Sequence, residues 1–226
     1  MNKKKILVLS MAIIALIIVS LSAVSAFNLF GGPTTDFDTK FLSGTFTGDV
    51  SQNEIKGNDS SLDGWTASYE DKEHNITYNM SCVKGGSFST DIYQLQGLEA
   101  PEVRNYNNQP WKIFYSQAVP TTNDTNDSLS INNTNNTINV YICEADINDT
   151  AYTINIMSYN NQVECDGTLF CPLYKDYIDP LLKSIQFKDA KKAPEMYKLL
   201  NITKEDFEYN QEYVKNILSG NVSVTE

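Results

Sequence analysis

The sequence predicts an α+β chain that sits behind an N-terminal membrane-directed helix and ends in a helical tail. Three observations predict it. Ile6 to Ala26 runs 21 residues without a charge, directly behind Lys3, Lys4 and Lys5. Further on, Ile76, Tyr78, Met80 and Cys82 alternate with Asn75, Thr77, Asn79 and Ser81, the period of two that marks a strand with one covered face. Near the end, Thr203 and Asp206 form a capping box ahead of Phe207, Val214, Ile217 and Leu218, which recur at helical spacing.

The leader is long enough to span a bilayer. At about 1.5 Å per helical residue it reaches roughly 31 Å, against ~30 Å of hydrocarbon. Twelve of its residues are Ile, Leu or Val, each favouring insertion by about 0.3 to 0.6 kcal/mol at the helix centre. Val24-Ser25-Ala26 also offers signal peptidase the small residues it accepts. Two readings therefore stand for residues 1–26: an uncleaved N-terminal membrane anchor, or a signal peptide cut before Phe27. In both, the three lysines hold the N-terminus inside and the rest of the chain faces out.

The remaining elements follow in order. Residues 27–43, with Gly31, Gly32 and Pro33, read as a linker, and folding is expected to begin near Phe41. Thr45 to Val50 and Trp65 to Glu70 read as strands, the second with Trp65, Ala67 and Tyr69 on one side. The strand at Asn75 to Cys82 comes next. Ser89 to Leu98 carries Ile92, Leu95 and Leu98 at helical spacing and stops before Pro101. Pro110 to Ala118 resumes strand character. Pro120 to Asn136 is almost wholly Thr, Asn, Asp and Ser and reads as a loop. Thr137 to Ala145 and Ala151 to Tyr159 form a hairpin around Asn148-Asp149. Tyr174 to Leu182 reads as a helix interrupted near Pro180, and Ser184 to Phe187 as a last strand. Pro194 opens a short helix, and a longer one runs from the Thr203 cap to Ser219, where Gly220 stops it. The domain is thus placed at 44–190 and a helical extension at 191–226.

Composition excludes some partners. Outside the leader 14 basic residues face 28 acidic ones, a net charge of −14, and Arg104 is the only arginine. A nucleic-acid surface needs clustered cations, so no nucleic-acid partner is expected. The membrane is met through the leader helix, and the residues do not name a further partner, whether an envelope component or a protein.

Cys82, Cys143, Cys165 and Cys171 are an even set in an exported chain, which permits disulfides. Cys165 and Cys171 flank a five-residue loop that could close on itself. Cys82 and Cys143 would then pair or stay as buried thiols. None of the four has C-x2-C spacing and His74 is the only histidine, so neither a metal site nor a cofactor is expected. Ten Asn-x-Ser/Thr sequons are present; Asn75 and Asn79 fall on the solvent side of their strand, and Asn123, Asn126, Asn132 and Asn135 in the polar loop. These six are the candidate glycosylation sites of an extracellular glycoprotein.

No catalytic motif stands out. His74 lies in the charged turn Glu70-Asp71-Lys72-Glu73-His74 and reads as a surface residue. Asp59, Ser61, Asp63, Gly64 and Glu70 match positions 1, 3, 5, 6 and 12 of a calcium loop. The flanks do not look helical, and a hairpin turn at Asp63-Gly64 is the competing reading.

One resemblance adds to this. Trp111-Lys112-Ile113-Phe114-Tyr115, Val140-Tyr141-Ile142, Tyr152-Thr153-Ile154-Asn155-Ile156 and, after a helix, Leu182-Lys183-Ser184-Ile185-Gln186-Phe187 follow a rhythm that resembles the PsbP/Mog1-like α/β domains of small exported proteins, over residues 44 to 190. The resemblance implies an antiparallel sheet with helices packed on its faces and carries no shared catalytic motif. The expected function is a membrane-anchored or secreted extracytoplasmic domain with a non-catalytic binding or structural role at the envelope. The alternatives are an exported hydrolase of envelope polymers and a calcium-stabilised adhesion module using the Asp59–Glu70 loop.

Overall fold

The computed structural model describes residues 33–53, 62–86, 88–95, 98–118, 137–160 and 162–221. The leader and the loop carrying Asn123, Asn126, Asn132 and Asn135 lie outside them. Among the described residues no helix is long and apolar enough to cross a membrane.

The fold is α+β with two antiparallel sheets. The larger has seven strands: β3 (Val50–Asn53), β4 (Thr66–Asp71), β5 (Ile76–Lys84), β6 (Glu102–Tyr106), β7 (Gln109–Ala118), β8 (Ile138–Ile147) and β9 (Thr150–Tyr159). Their order across the sheet is β3-β4-β5-β9-β8-β7-β6. The smaller joins β1 (Thr34–Asp38), β2 (Leu42–Thr47) and β10 (Gln186–Phe187). β1 lies inside the stretch expected to be linker, and its Phe37 is buried against Phe46 at 4.6 Å between ring centroids. One inward aromatic is enough to bind a short edge strand that otherwise reads as polar.

The two faces of the large sheet carry different chemistry. Its first face holds Tyr78, Met80, Cys82, Trp111, Ile113, Tyr141, Cys143, Ile154 and Ile156, none above 1 % exposed. Over it pack the small sheet and the segment from Tyr174. That segment opens as a π-helical turn, Tyr174–Ile178, and continues as α2 (Asp179–Ser184), with Pro180 in its first turn. The interruption read from Pro180 is therefore a change of pitch, from π to α, and not a break.

Three helices cover part of the second face: α1 (Phe88–Leu95), α3 (Met196–Leu199) and α4 (Lys204–Leu218). Phe88 and Ile92 of α1 meet Val83, Met196, Phe207 and Val214 in one apolar cluster. Phe88 and Phe207 meet edge to face at 5.5 Å, an arrangement that adds to their burial. The described part of the helical extension, residues 191–221, therefore packs on the sheet. This cover also corrects the expected solvent side of β5: Thr77, Asn79 and Ser81 are half-buried.

Candidate functional site

On the second face the register aligns a straight polar row. Thr66 faces Ser81, Ser81 faces Thr153, Thr153 faces Glu144, and Glu144 faces Lys112. Neighbouring strands lie about 4.8 Å apart, so the hydroxyls of Thr66, Ser81 and Thr153 make an evenly spaced line. They floor a small cleft that opens to solvent. Val83, Gly86, Ala151 and Tyr93 enclose it with Met196 and Leu199 of α3. A concave, mainly apolar site with a few aligned polar groups is the usual form of a small-molecule pocket.

Glu144 lies directly behind this floor and is 1 % exposed. Thr153, its cross-strand neighbour, and Ser89, its hydrogen-bond partner at 2.7 Å, both line the cleft. Thr90 also donates to its carboxyl. Burial pushes Glu144 up to about 7, against the pull of Thr90, Ser89 and Lys112. Burial, and then the Glu144 charge, push the Tyr93 phenol up as well. A strongly perturbed acid beside a cleft is where functional groups concentrate.

Two further polar groups lie on the other side of the sheet. Asp71, fully buried, accepts from the backbone N–H groups of Glu73 and His74 and meets His74 Nδ1 at 2.8 Å. His74 packs on Tyr177 at 5.1 Å. It is a half-buried, oriented side chain and not the free surface residue its turn implied. Gly48 makes room for this pair: a Cβ there would come within 2.6 Å of Asp71 Oδ2. Separately, Tyr106 bonds Tyr174 at 2.6 Å and donates to Asp179 at 2.7 Å, while Arg104 lies over the Phe170 ring at 4.0 Å.

Cys165 and Cys171 are bonded to each other, closing the short loop onto the first face. Cys82 and Cys143 remain buried thiols. They sit on β5 and β8 with β9 between them, Cys82 opposite Tyr152 and Cys143 opposite Ile154, so they are more than two strand spacings, roughly 9.6 Å, apart, too far for a bond. Burial pushes the Cys82 thiol up to about 12. Of the sequon residues, Asn75 occupies a left-handed turn at φ 55° and Asn79 accepts from Ser68 at 2.9 Å on the half-covered face. In the proposed calcium loop, Asp59 and Ser61 lie outside the described residues, Gly64 turns at φ 72°, and Glu70 is a strand residue paired with Thr77. A cluster of three or more metal-binding side chains is absent among the described residues.

Sequence reasoning passed over Glu144, yet β8 carries a signal. Val140 and Ile142 on one parity and Tyr141, Cys143 and Ala145 on the other are all apolar, so the strand is covered on both faces. An acid between Cys143 and Ala145 then has to be buried.

No protein-family model and no curated protein matches the chain. Among solved structures it is similar to the solution structure of a cyanobacterial PsbP, CyanoP, from Synechocystis sp. PCC 6803. The identity is 10%, the TM-score 0.44, and the match covers 74% of this chain and 99% of that one. It is also similar to a crystal structure from Bacteroides thetaiotaomicron VPI-5482, with 10% identity and a TM-score of 0.42 over 71% of this chain. There the chain spans half the length of the other protein, 50%. At 10% identity no residue role transfers from either. The likeness is to a PsbP-like α/β domain and concerns the fold alone.

Proposed function

We propose that this protein is an extracytoplasmic binding domain, anchored or exported by its leader, which holds a small, largely apolar molecule in the cleft on the second face of the sheet. The observation that carries the reading is the cleft: a line of three hydroxyls, Thr66, Ser81 and Thr153, under apolar walls. Such a floor suits a flat or elongated molecule with one polar edge, whose apolar remainder contacts Val83, Tyr93, Met196 and Leu199. The leader and the Cys165–Cys171 disulfide support placement outside the cytoplasm.

Native mass spectrometry of protein released gently from its own membranes tests this. A small-molecule adduct on the wild type that is lost in Ser81→Phe, whose ring would fill the cleft, is the expected result. An adduct retained by that variant, or a bare protein in both, sinks the reading. The same spectrum reports whether the leader is cut.

A second reading, an exported hydrolase of envelope polymers, draws on the Asp71–His74 pair. Asp71 holds the imidazole as an orienting carboxylate does in a nucleophilic triad. Among the described residues, however, no serine, threonine or cysteine side chain hydrogen-bonds His74. Loss of polymer-cleaving activity in His74→Ala with its fold intact would favour this reading, and cleavage by neither protein ends it.

A further inference from the structure

We propose that Glu144 is a proton switch for the cleft: protonated, it lets Ser89 close onto Gly86 at the start of α1 and keeps the cleft in its binding shape, and ionised, it takes the Ser89 proton for itself, opens the Ser89–Gly86 contact and weakens binding. The inference rests on the cleft being a binding site.

It follows from counting protons. Ser89 Oγ lies 2.7 Å from Gly86 O and 2.7 Å from Glu144 Oε2. A hydroxyl has one proton to give. Both contacts are satisfied together only if Glu144 carries the second proton. Its Oε2–H then donates to Ser89 Oγ, Ser89 donates to Gly86 O, and Thr90 donates to Oε1. When Glu144 ionises, the Ser89 proton turns to the carboxylate. Ser89 Oγ and Gly86 O are left facing each other at 2.7 Å with no proton between them, a repulsive contact that must open.

The packing decides which way it opens. Gly86 is seated on the sheet so closely that a Cβ there would lie 2.9 Å from the Ala151 methyl and 3.1 Å from Val83 O. The turn has no room inward, so Gly86 moves away from β9 while Ser89 and Thr90 stay on the carboxylate, and the cleft wall opens between Gly86 and Ser89, both of which line it.

The charged and titratable groups around Glu144 do not supply a competing switch. Lys112 on β7 is its cross-strand neighbour and favours ionisation, whereas Asp146 on its own strand opposes it. From β9 the neighbour is the uncharged Thr153. On α1, burial pushes the Tyr93 phenol further up, and burial also raises Asp91, against the fields of Lys215 on α4 and of Lys112. Burial dominates the balance and places the Glu144 transition at about 7.

The test is a fluorescence titration of the full protein with N-phenyl-1-naphthylamine, a neutral apolar probe, at about pH 6 and about pH 8. Glu144→Gln is the informative variant. Its amide donates to Ser89 and accepts from Thr90 at every pH, so it is locked in the holding state. Expected is a wild-type dissociation constant about fivefold or more higher at the upper pH, with Glu144→Gln binding at both as the wild type binds at the lower. Ser89→Ala, which removes the facing oxygen, should flatten the dependence too, and circular dichroism confirms that each variant is folded. Equal weakening in Glu144→Gln overturns the switch. Equal wild-type binding at both pH values overturns the switch and leaves the cleft reading standing. Absence of probe binding at either pH, or binding undiminished in Ser81→Phe, defeats the cleft reading and the switch with it.

Discussion

At the residue scale the buried acid sets how stability depends on pH. Glu144 rises from 4.5 to about 7 on folding, so between those values the folded chain holds a proton that the unfolded chain has released. Stability from this group is complete below about 4.5, falls as pH rises, and levels off above about 7. The loss amounts to about 3 kcal/mol. Urea denaturation of the wild type and Glu144→Gln across this range isolates it. The two should coincide near the acid end, and the variant should be the more stable by up to that amount above neutrality. Gly86 is expected to be as demanding: Gly86→Ala places a methyl 2.9 Å from that of Ala151 and should cost about 1 to 3 kcal/mol. The cysteines give a third expectation. Denatured, unreduced protein should take up alkylating reagent at Cys82 and Cys143 alone, and native protein at neither, because burial holds both thiols protonated.

At the scale of elements, legibility followed how many faces of an element are covered. The β8–β9 hairpin announced itself: Asn148 and Asp149 take φ 53° and 62° between two apolar runs, as a two-residue turn requires. Asn107 and Asn108 turn the same way at 52° and 64°, yet β6 was passed over. Its Val103 is 56% exposed, so an edge strand with little to bury shows no alternation. The short segment β1 escaped for the same reason. The cleft was less legible still, because it arises where α1 and α3, from distant parts of the chain, meet a polar row that looks solvent-facing when each strand is read alone. The Thr203 cap, by contrast, was readable locally. Its hydroxyl accepts from Asp206 N at 3.1 Å, and Thr203→Ala should lower stability by about 1 kcal/mol in thermal or urea melts.

At the scale of the whole molecule, the question is whether residues 191–221 are an appendage or half of the second layer. Packing makes them a layer. Val83 at 7 %, Phe88 at 2 % and Ile92 at 1 % exposure are covered by Met196, Phe207 and Val214. Lys84 N donates to Pro194 O at 2.9 Å, tying the incoming segment to the end of β5. Removing these residues would uncover three large apolar side chains, each worth about 1.5 to 3 kcal/mol of burial. A marginally stable domain does not absorb that loss. It would also strip Met196 and Leu199 from the cleft. A chain ending at Ala190 should therefore melt at a much lower temperature, bind an apolar dye such as anilinonaphthalene sulfonate across its surface, and lose any saturable cleft binding. A chain ending after Gly220, which retains all of α4, should match the full protein in all three. If the shorter chain instead melts like the full one, the second layer is carried by α1 alone, and the cleft loses its far wall.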